Sequence, residues 1–234
     1  MGYVGVAPGT TTITLPDGTT IALADWIDDK FYGSVQISSG QVTPVEAFSS
    51  GRSQPIPGGS RAQTRVDTNI PRAGENGLPK DWEMLVFGLG IKPVRVERPQ
   101  SGQTQPVLGD GSGALSDPVN LRSFFNVERT MFVEYSYNGK PYTQGTMSEY
   151  PQGNGYNVFS TVSNFELCQN GVPSPRDRTA LVLPIHEREN LGYKMGFQPE
   201  SAATISQPAS DGGTAMSFMD VKVYKYGLIK RTVV

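Results

Sequence analysis

Short apolar runs separated by glycine, proline and polar residues extend along most of the chain. Residues 131–136 alternate between two faces, as expected for a strand that is covered more on one side than on the other. The Asn138-Gly139 pair that follows is typical of a two-residue hairpin, because a type I′ turn requires positive φ at both central positions. Residues 10–23 predict a second hairpin around Pro16-Asp17-Gly18. With 27 glycines and 18 prolines spread along it, the chain is predicted to consist of many short strands.

Two segments favour short helices. In Ala24–Tyr32, Ile27 and Phe31 are four residues apart, which places them on one face of a helix. Asp117-Pro118 is a helix-start signature, because the aspartate caps a free amide and proline is tolerated in the first turn. The helix predicted at 118–129 has an apolar face formed by Leu121, Phe124 and Phe125.

The second part of the chain is predicted to hold about eight short strands. Trp82–Val96 is the most apolar run and favours a long central strand, in which Gly88 and Gly90 indicate a bulge or a close approach of another backbone. Pro184 within the run 181–187 predicts an edge strand or a bulge. Residues 215–234 predict one long strand, or two strands joined near Tyr226-Gly227.

The first third of the chain is predicted to be different. Residues 38–79 are rich in glycine, proline and serine and have no sustained period, which is typical of a linker or a binding segment. Four arginines lie along this segment: Arg52, Arg61, Arg65 and Arg72. The segment is either a solvated basic loop or an arm whose arginines contact acidic neighbours or nucleic acid. The predicted division is therefore an N-terminal region at 1–79, with a hairpin, a short helix and an extended arm, and a barrel at 80–234.

Three aromatic residues lie close together in the short helix predicted at 24–32. They either cover the end of the molecule's own core or anchor the segment on a neighbouring copy. Together with three of the arginines they form the predicted subunit interface: Trp26, Phe31, Tyr32, Arg52, Arg61 and Arg65.

Composition excludes several classes of protein. The 20 basic and 22 acidic residues nearly balance, so no strongly basic nucleic-acid-binding domain is indicated. Charged residues make up 18% of the chain, below the roughly one quarter of a typical soluble domain, which favours surfaces covered by neighbours. One cysteine and one histidine exclude an internal disulfide and a zinc site of the usual kind. No membrane-spanning apolar run and no export signal are found in the sequence.

The residues that carry catalysis in other proteins do not form a recognisable set here. His186 is the single histidine, and no G-x-S-x-G motif precedes it. A Ser-His-Asp hydrolase stays open as an alternative, while cupin-type metal chemistry requires more histidines than the chain has. We therefore expect no catalytic residues, no metal and no cofactor.

The order of several short motifs resembles the jelly-roll major capsid proteins of tailless icosahedral bacteriophages, especially the corticovirus-like and finnlakevirus-like kinds. The resemblance covers roughly residues 65–234. It is carried by Asp67-Thr-Asn-Ile70, Gly77-Leu-Pro79, the strand from Trp82, the helix 118–129, Tyr137 to Tyr142, Tyr150 to Gly155, Leu183-Pro-Ile185, Tyr193 to Phe197 and the terminal VKVYKYGLIKRTVV.

The resemblance implies an antiparallel, all-β jelly-roll sandwich that stands upright in a shell. Such proteins usually carry two jelly rolls, whereas about eight strands after residue 80 fit one, with a compact double jelly roll as the alternative. The implied function is that of a capsid subunit, made in the host cytoplasm and present in the virion, which assembles by symmetric contacts and arm exchange. Its implied partners are copies of itself, minor capsid or vertex proteins, and an internal lipid membrane or the packaged genome.

The alternative to a shell subunit is a carbohydrate- or receptor-binding jelly roll of a virion spike. Exposed tyrosines would then stack on sugar rings. The candidates are Tyr135, Tyr137, Tyr142, Tyr150 and Tyr156.

Overall fold

The computed structural model describes residues 9–15, 17–70, 78–97, 126–150, 157–160, 165–168, 179–189, 191–203, 205 and 218–231, with the backbone alone for 93–97, 157–160 and 165–168. These residues include twelve strands, a helical segment at 126–130 and a 3₁₀ turn at Met147–Glu149. The strands are β1 Thr12–Thr14, β2 Thr20–Ala22, β3 Trp26–Ser38, β4 Val45–Ala47, β5 Trp82–Glu97, β6 Met131–Tyr137, β7 Lys140–Thr146, β8 Asn157–Ser160, β9 Phe165–Cys168, β10 Thr179–Arg188, β11 Tyr193–Pro199 and β12 Phe218–Arg231.

Eight of these strands form two four-stranded antiparallel sheets. The first sheet has the order β10-β5-β12-β3, and the second has the order β4-β11-β6-β7. The remaining four strands form two separate hairpins, β1-β2 and β8-β9. The prediction of an all-β, antiparallel sandwich is confirmed.

The pairing within the two sheets follows one rule. Among their eight strands, counted in chain order, the first pairs with the eighth and the second with the seventh. The third pairs with the sixth and the fourth with the fifth. This is the pairing of a single long antiparallel ribbon that folds back on itself at β6-β7. Two further pairs, β12 with β5 and β11 with β6, curl the ribbon into two layers.

The core lies between the two sheets. Residues that alternate along each strand point inward, because successive side chains of a strand lie on opposite faces. From the first sheet the fully buried residues include Val35, Met84 and Val221, and from the second they include Val133 and Phe197. Each Å² of apolar surface that this cluster buries stabilises the fold by about 25 cal/mol.

Several sequence predictions for turns and bulges are confirmed. Asn138 and Gly139 have φ of 50° and 73° and join β6 to β7. Thr12 pairs with Ala22 across the predicted first hairpin. The register of β10 on β5 shifts between Ala180 and Ile185, at the predicted Pro184 bulge. Residues 218–231 form one long strand, and its register on β5 shifts next to Gly88, at the predicted bulge.

The helix predicted at Ala24–Tyr32 is wrong, because residues 26–38 form β3. A separation of four residues places two side chains on one face of a strand as well as of a helix, so Ile27 and Phe31 do not discriminate between the two. The inward positions continue through Val35 and Ile37, and both are fully buried. This longer alternation was the signal for a strand.

The prediction of an extended N-terminal arm is also wrong for residues 26–70. β3 and β4 lie in the same sheets as strands from after residue 80, so the predicted boundary at 79 cuts through both sheets. The segment after β4 folds onto the two sheets, and Phe48, Ile56 and Ile70 within it are buried. Its apolar residues are few but large, and they are sufficient to hold a turn-rich segment against the sheets.

The helix predicted at 118–129 lies largely outside the described residues. Residues 126–130 are helical and lead directly into β6. Val127 is fully buried, and the Thr130 hydroxyl donates a hydrogen bond of 2.7 Å to the carbonyl oxygen of Asn126.

Candidate interaction surfaces

An open groove of about 900 Å³ lies between β7 and β10, at the edges of the two sheets. The bulge in β10 places residues 181–184 opposite one residue of β5, so their side chains leave the regular ladder. Val182 is consequently 99% exposed and Leu183 is 58% exposed. Tyr142 of β7 lines the same groove. Large apolar side chains held in water beside a groove are typical of a contact surface.

The opposite edge of the first sheet is covered by the chain itself. Residues 57–69 lie beside β3, and the backbone N–H of Gln36 donates to the carbonyl oxygen of Pro57 at 2.8 Å. The Asn69 side chain makes two hydrogen bonds to the backbone of β3. Its Oδ1 accepts from the Tyr32 backbone amide at 2.8 Å, and its Nδ2 donates to the Lys30 carbonyl oxygen at 2.7 Å. An edge covered in this way does not accept an added strand from a neighbour.

Arg61 fastens this covering segment to the sheet. Its guanidinium donates two hydrogen bonds of 2.8 Å to Asp67 and one of 2.9 Å to Asp220 on β12. Burial acts to raise the pKa of Asp67, but the bonds from Arg61 and Thr64 outweigh it and lower the pKa to about 2. Gln36 Nε2 donates to the other oxygen of Asp220 at 2.9 Å. The group is a structural clamp, since each carboxylate is engaged by protein donors.

A second ionic group lies in the core. Lys225 Nζ is 2.6 Å from Glu187 Oε2, both side chains are fully buried, and the Tyr135 hydroxyl donates to Glu187 Oε1. Nζ also lies 3.0 Å from the ring centroid of Tyr193. Burial lowers the pKa of Lys225 to about 8, against the opposing effect of Glu187, and burial raises the pKa of Glu187. Because no solute reaches these groups, their role is structural.

His186 lies on the outer face of β10, beside a cavity of about 710 Å³. Its Nε2 is 2.7 Å from Oε2 of Glu83 on β5, and its ring makes an edge contact with Trp26. In a Ser-His-Asp hydrolase, Nε2 of the histidine takes the proton from the serine nucleophile. In this structure that nitrogen is paired with the carboxylate of Glu83. Trp82 and Lys230 line the same cavity.

The described part of the chain contains no group of three or more histidine, cysteine, aspartate or glutamate residues placed to hold a metal ion. Within the same residues, no helix has the length and apolar character needed to cross a bilayer.

The aromatic residues of the predicted subunit interface lie in three different environments. Phe31 is 2% exposed and belongs to the core, so its assignment to a subunit contact is wrong. Trp26 is half-buried beside His186, which places it at the cavity and not in a cluster with the other two. Tyr32 is half-buried on the outer face of β3, and its hydroxyl donates to the carbonyl oxygen of Arg65 at 2.7 Å. Alternate strand residues point to opposite faces, and this separates Phe31 from Tyr32.

The arginines of the predicted interface are likewise separated. Arg61 is engaged in the internal clamp, which leaves it little capacity for a partner. Arg52 is half-buried in the turn after β4, and Arg65 is exposed. Arg72 lies outside the described residues.

The tyrosines proposed to stack on sugars are mostly part of the core. Tyr135, Tyr137 and Tyr150 are at most 7% exposed, so stacking on a sugar is wrong for these three. Tyr142 is 45% exposed and lies at the groove between β7 and β10. Tyr156 lies outside the described residues.

Comparisons of the chain with protein-family models, with curated proteins and with solved structures found no match.

Proposed function

We propose that this protein is a structural subunit of a viral capsid, built on a single jelly roll. The ribbon pairing of first with eighth, second with seventh, third with sixth and fourth with fifth strand supports the jelly roll. This architecture consists of eight strands and two Greek keys, and it recurs in capsid and lectin domains. The two strands from residues 26–47 are part of the proposed barrel, so arm exchange by this segment is not part of the proposal.

Because one fold serves many functions, the shell role rests on a surface and not on the topology. The observation that carries it is the bulged edge of β10, where Val182 and Leu183 project into water beside the groove. A second copy of the chain is the proposed occupant. The edge at β3 is covered, whereas the groove lies between the edge strands β7 and β10, so the two sides of the barrel are unlike. This difference favours head-to-tail contacts that build rings and shells.

The low proportion of charged residues agrees with this proposal. At 18% of the chain, charge is scarce for a solitary domain, and a shell subunit covers much of its surface with neighbours. In the proposed virion the partners are other copies, minor capsid or vertex proteins, and the membrane or genome beneath the shell.

The test measures assembly of the purified full chain. We expect mass photometry and negative-stain electron microscopy to detect capsomers or closed particles over a series of ionic strengths. The double variant V182D/L183D is expected to stay folded but monomeric, because buried charges without partners oppose the contact. A wild-type protein that stays monomeric at every salt and protein concentration would refute the proposal.

A matched control uses two exposed valines that do not line the groove. Val42 and Val66 are 65% and 74% exposed, so V42D/V66D adds the same charge at comparable positions. This variant is expected to assemble as the wild type does. If it fails equally, the loss reflects charge in general and not the groove.

One observation favours a second function, a carbohydrate-binding module of a virion spike. Trp26 and Trp82 line the cavity near His186 together with Glu83 and Asp81. Indole faces and carboxylates are a combination that suits sugar rings and their hydroxyls. Binding of the monomer to a glycan array, lost in W26A and kept in Y142A, would support this function over the shell role.

A further inference from the structure

The outer face of the first sheet carries lysines and tyrosines in a compact group. Along β12 the residues 221, 223 and 225 are buried in the core, so 222, 224 and 226 lie on the opposite face. In the register, Lys222 is opposite Lys92, Tyr224 is opposite Tyr32 and Tyr226 is opposite Lys30. We call these six residues the basic aromatic face.

The rings of this face form a continuous row. The centroids of Tyr32 and Tyr224 are 6.2 Å apart with an interplanar angle of 44°, and those of Tyr224 and Tyr226 are 5.8 Å apart at 16°. Lys222 Nζ lies 4.2 Å from the Tyr32 centroid, and Lys30 Nζ lies 5.9 Å from the Tyr224 centroid. Cationic groups therefore flank the aromatic row on both sides.

The positive charge of this face is concentrated by the fold. Lys222 and Lys92 are directly opposed on neighbouring strands, a like-charge arrangement that destabilises a sheet. Burial lowers the pKa of both lysines. The positive charges of Lys30 and Lys92 lower the pKa of Lys222 further, whereas the negative charge of Asp67 opposes this shift. Asp67 faces Lys222, but Arg61 holds its carboxylate through two hydrogen bonds. Asp28 is exposed two residues before Lys30.

The chemistry of a matching partner follows from these features. An anionic polymer is attracted by the three lysines and releases counterions when it binds. Aromatic rings beside a basic track are the usual surface for single-stranded nucleic acid, since each base has a face that stacks on a ring. A duplex hides those faces, and a lipid headgroup has none.

We propose that the basic aromatic face binds single-stranded nucleic acid without sequence preference. The binding site belongs to one subunit, so this inference does not require that the chain assembles. It goes beyond the proposed function, and the monomeric variant V182D/L183D is expected to bind as the wild type does.

The test uses the full chain and a fluorescein-labelled 20-nucleotide oligo-dT, with anisotropy measured from about 30 to 300 mM NaCl. If the three lysines each neutralise one phosphate, the slope of log affinity against log salt is about −2, from roughly −0.7 for each phosphate. The variant K30Q/K92Q/K222Q is expected to lose at least about tenfold in affinity at low salt and most of that slope. Y224L and Y226L are expected to lose about tenfold each and to keep the slope, because they remove stacking and not charge.

A matched control removes three exposed lysines from other parts of the surface, in K80Q/K140Q/K194Q. This variant is expected to bind oligo-dT within about twofold of the wild type. Equal losses in the two triple variants would overturn the proposal, and so would no binding at 30 mM NaCl. Tighter binding to vesicles of phosphatidylcholine and phosphatidylserine at 7:3 than to oligo-dT would also overturn it, in favour of a membrane surface.

Discussion

Lys225 and Glu187 form a fully buried ion pair at the centre of the sandwich, with Nζ 2.6 Å from Oε2. They come from strands that are not neighbours, since β5 lies between β12 and β10. The Tyr135 hydroxyl from the second sheet donates to the other carboxylate oxygen, so the pair also connects the two layers. Each charge is expensive to bury alone, and each compensates the other.

Removing one member of this pair is expected to be severe. K225M leaves Glu187 charged or forces it to take up a proton in an apolar core, and we expect a loss of about 3 to 5 kcal/mol in the free energy of unfolding. The double variant K225M/E187Q is expected to recover most of this loss, because the amide still accepts the bond from Tyr135. Urea denaturation followed by circular dichroism measures both.

The control for this prediction is an ion pair on the surface. Lys194 and Glu46 are 2.6 Å apart, but their side chains are 52% and 45% exposed. K194M is therefore expected to cost less than about 1 kcal/mol. A K225M protein as stable as K194M would show that the core pair contributes little.

A glycine at the β12 bulge is expected to tolerate no side chain. A Cβ on Gly227 would lie 1.8 Å from the carbonyl oxygen of Leu85, which is backbone and cannot move aside. G227A should destabilise the protein by more than about 3 kcal/mol or prevent folding. G196A is the comparison, because its Cβ would meet the Glu134 carbonyl at 3.9 Å, an ordinary contact. Thermal unfolding of the two variants tests the difference, and equal melting temperatures would contradict it.

The clamp of Arg61 on Asp67 predicts a pH dependence. The pKa of Asp67 falls to about 2 in the folded protein, below the ordinary value of 3.8. The ionised Asp67 carboxylate therefore contributes its full stabilisation above about pH 4, and this contribution is lost as the pH falls through 2. We expect D67N to be about 1 to 2 kcal/mol less stable than the wild type at pH 6, with the gap closing near pH 2.

Chemical denaturation at several pH values measures that gap. D25N serves as the control, since Asp25 is exposed, and its difference from the wild type is expected to stay small throughout. A D67N deficit that persists unchanged at pH 2 would mean that the aspartate charge is not what stabilises the clamp.

Two truncations test the role of the N-terminal region. A chain that begins at Trp26 keeps every strand of the two sheets and is expected to fold cooperatively, with some loss from removing buried Leu15. A chain that begins at Ser38 lacks nearly all of β3, including Val35 and Ile37, and exposes the edge of β12. We expect it to be insoluble or unfolded. Cooperative thermal unfolding of this shorter chain would restore the idea of a dispensable arm.

Local chemistry made much of the second half predictable from the sequence. Asn138-Gly139 defined a hairpin because few residues adopt positive φ, and Pro184 marked a bulge because proline cannot donate to the ladder. In the first third, the alternation that continues through Val35 and Ile37 indicates a strand, but it does not indicate which strand is the neighbour. The role of β3 depends on its pairing with β12, nearly two hundred residues later, and no local pattern encodes that pairing.

The candidate surfaces were harder to predict than the strands. The near-zero net charge of the chain did not indicate the basic aromatic face. Its lysines, Lys30, Lys92 and Lys222, are far apart in sequence, and only the strand register brings them together. Arg61 was predicted to contact a neighbour, but the fold placed Asp67 and Asp220 beside it. The sequence around a charged loop residue does not indicate which oppositely charged residue will form an ion pair with it.

By itself the sequence determined the class of structure: alternating short strands, with turns and bulges where glycine, asparagine and proline constrain the backbone. Only the tertiary structure decided which strands are neighbours, which arginines are internal and which lysines share a face. The physical reason is that turn chemistry acts over a few residues, whereas strand pairing and burial depend on the whole set of apolar faces that must be covered at once.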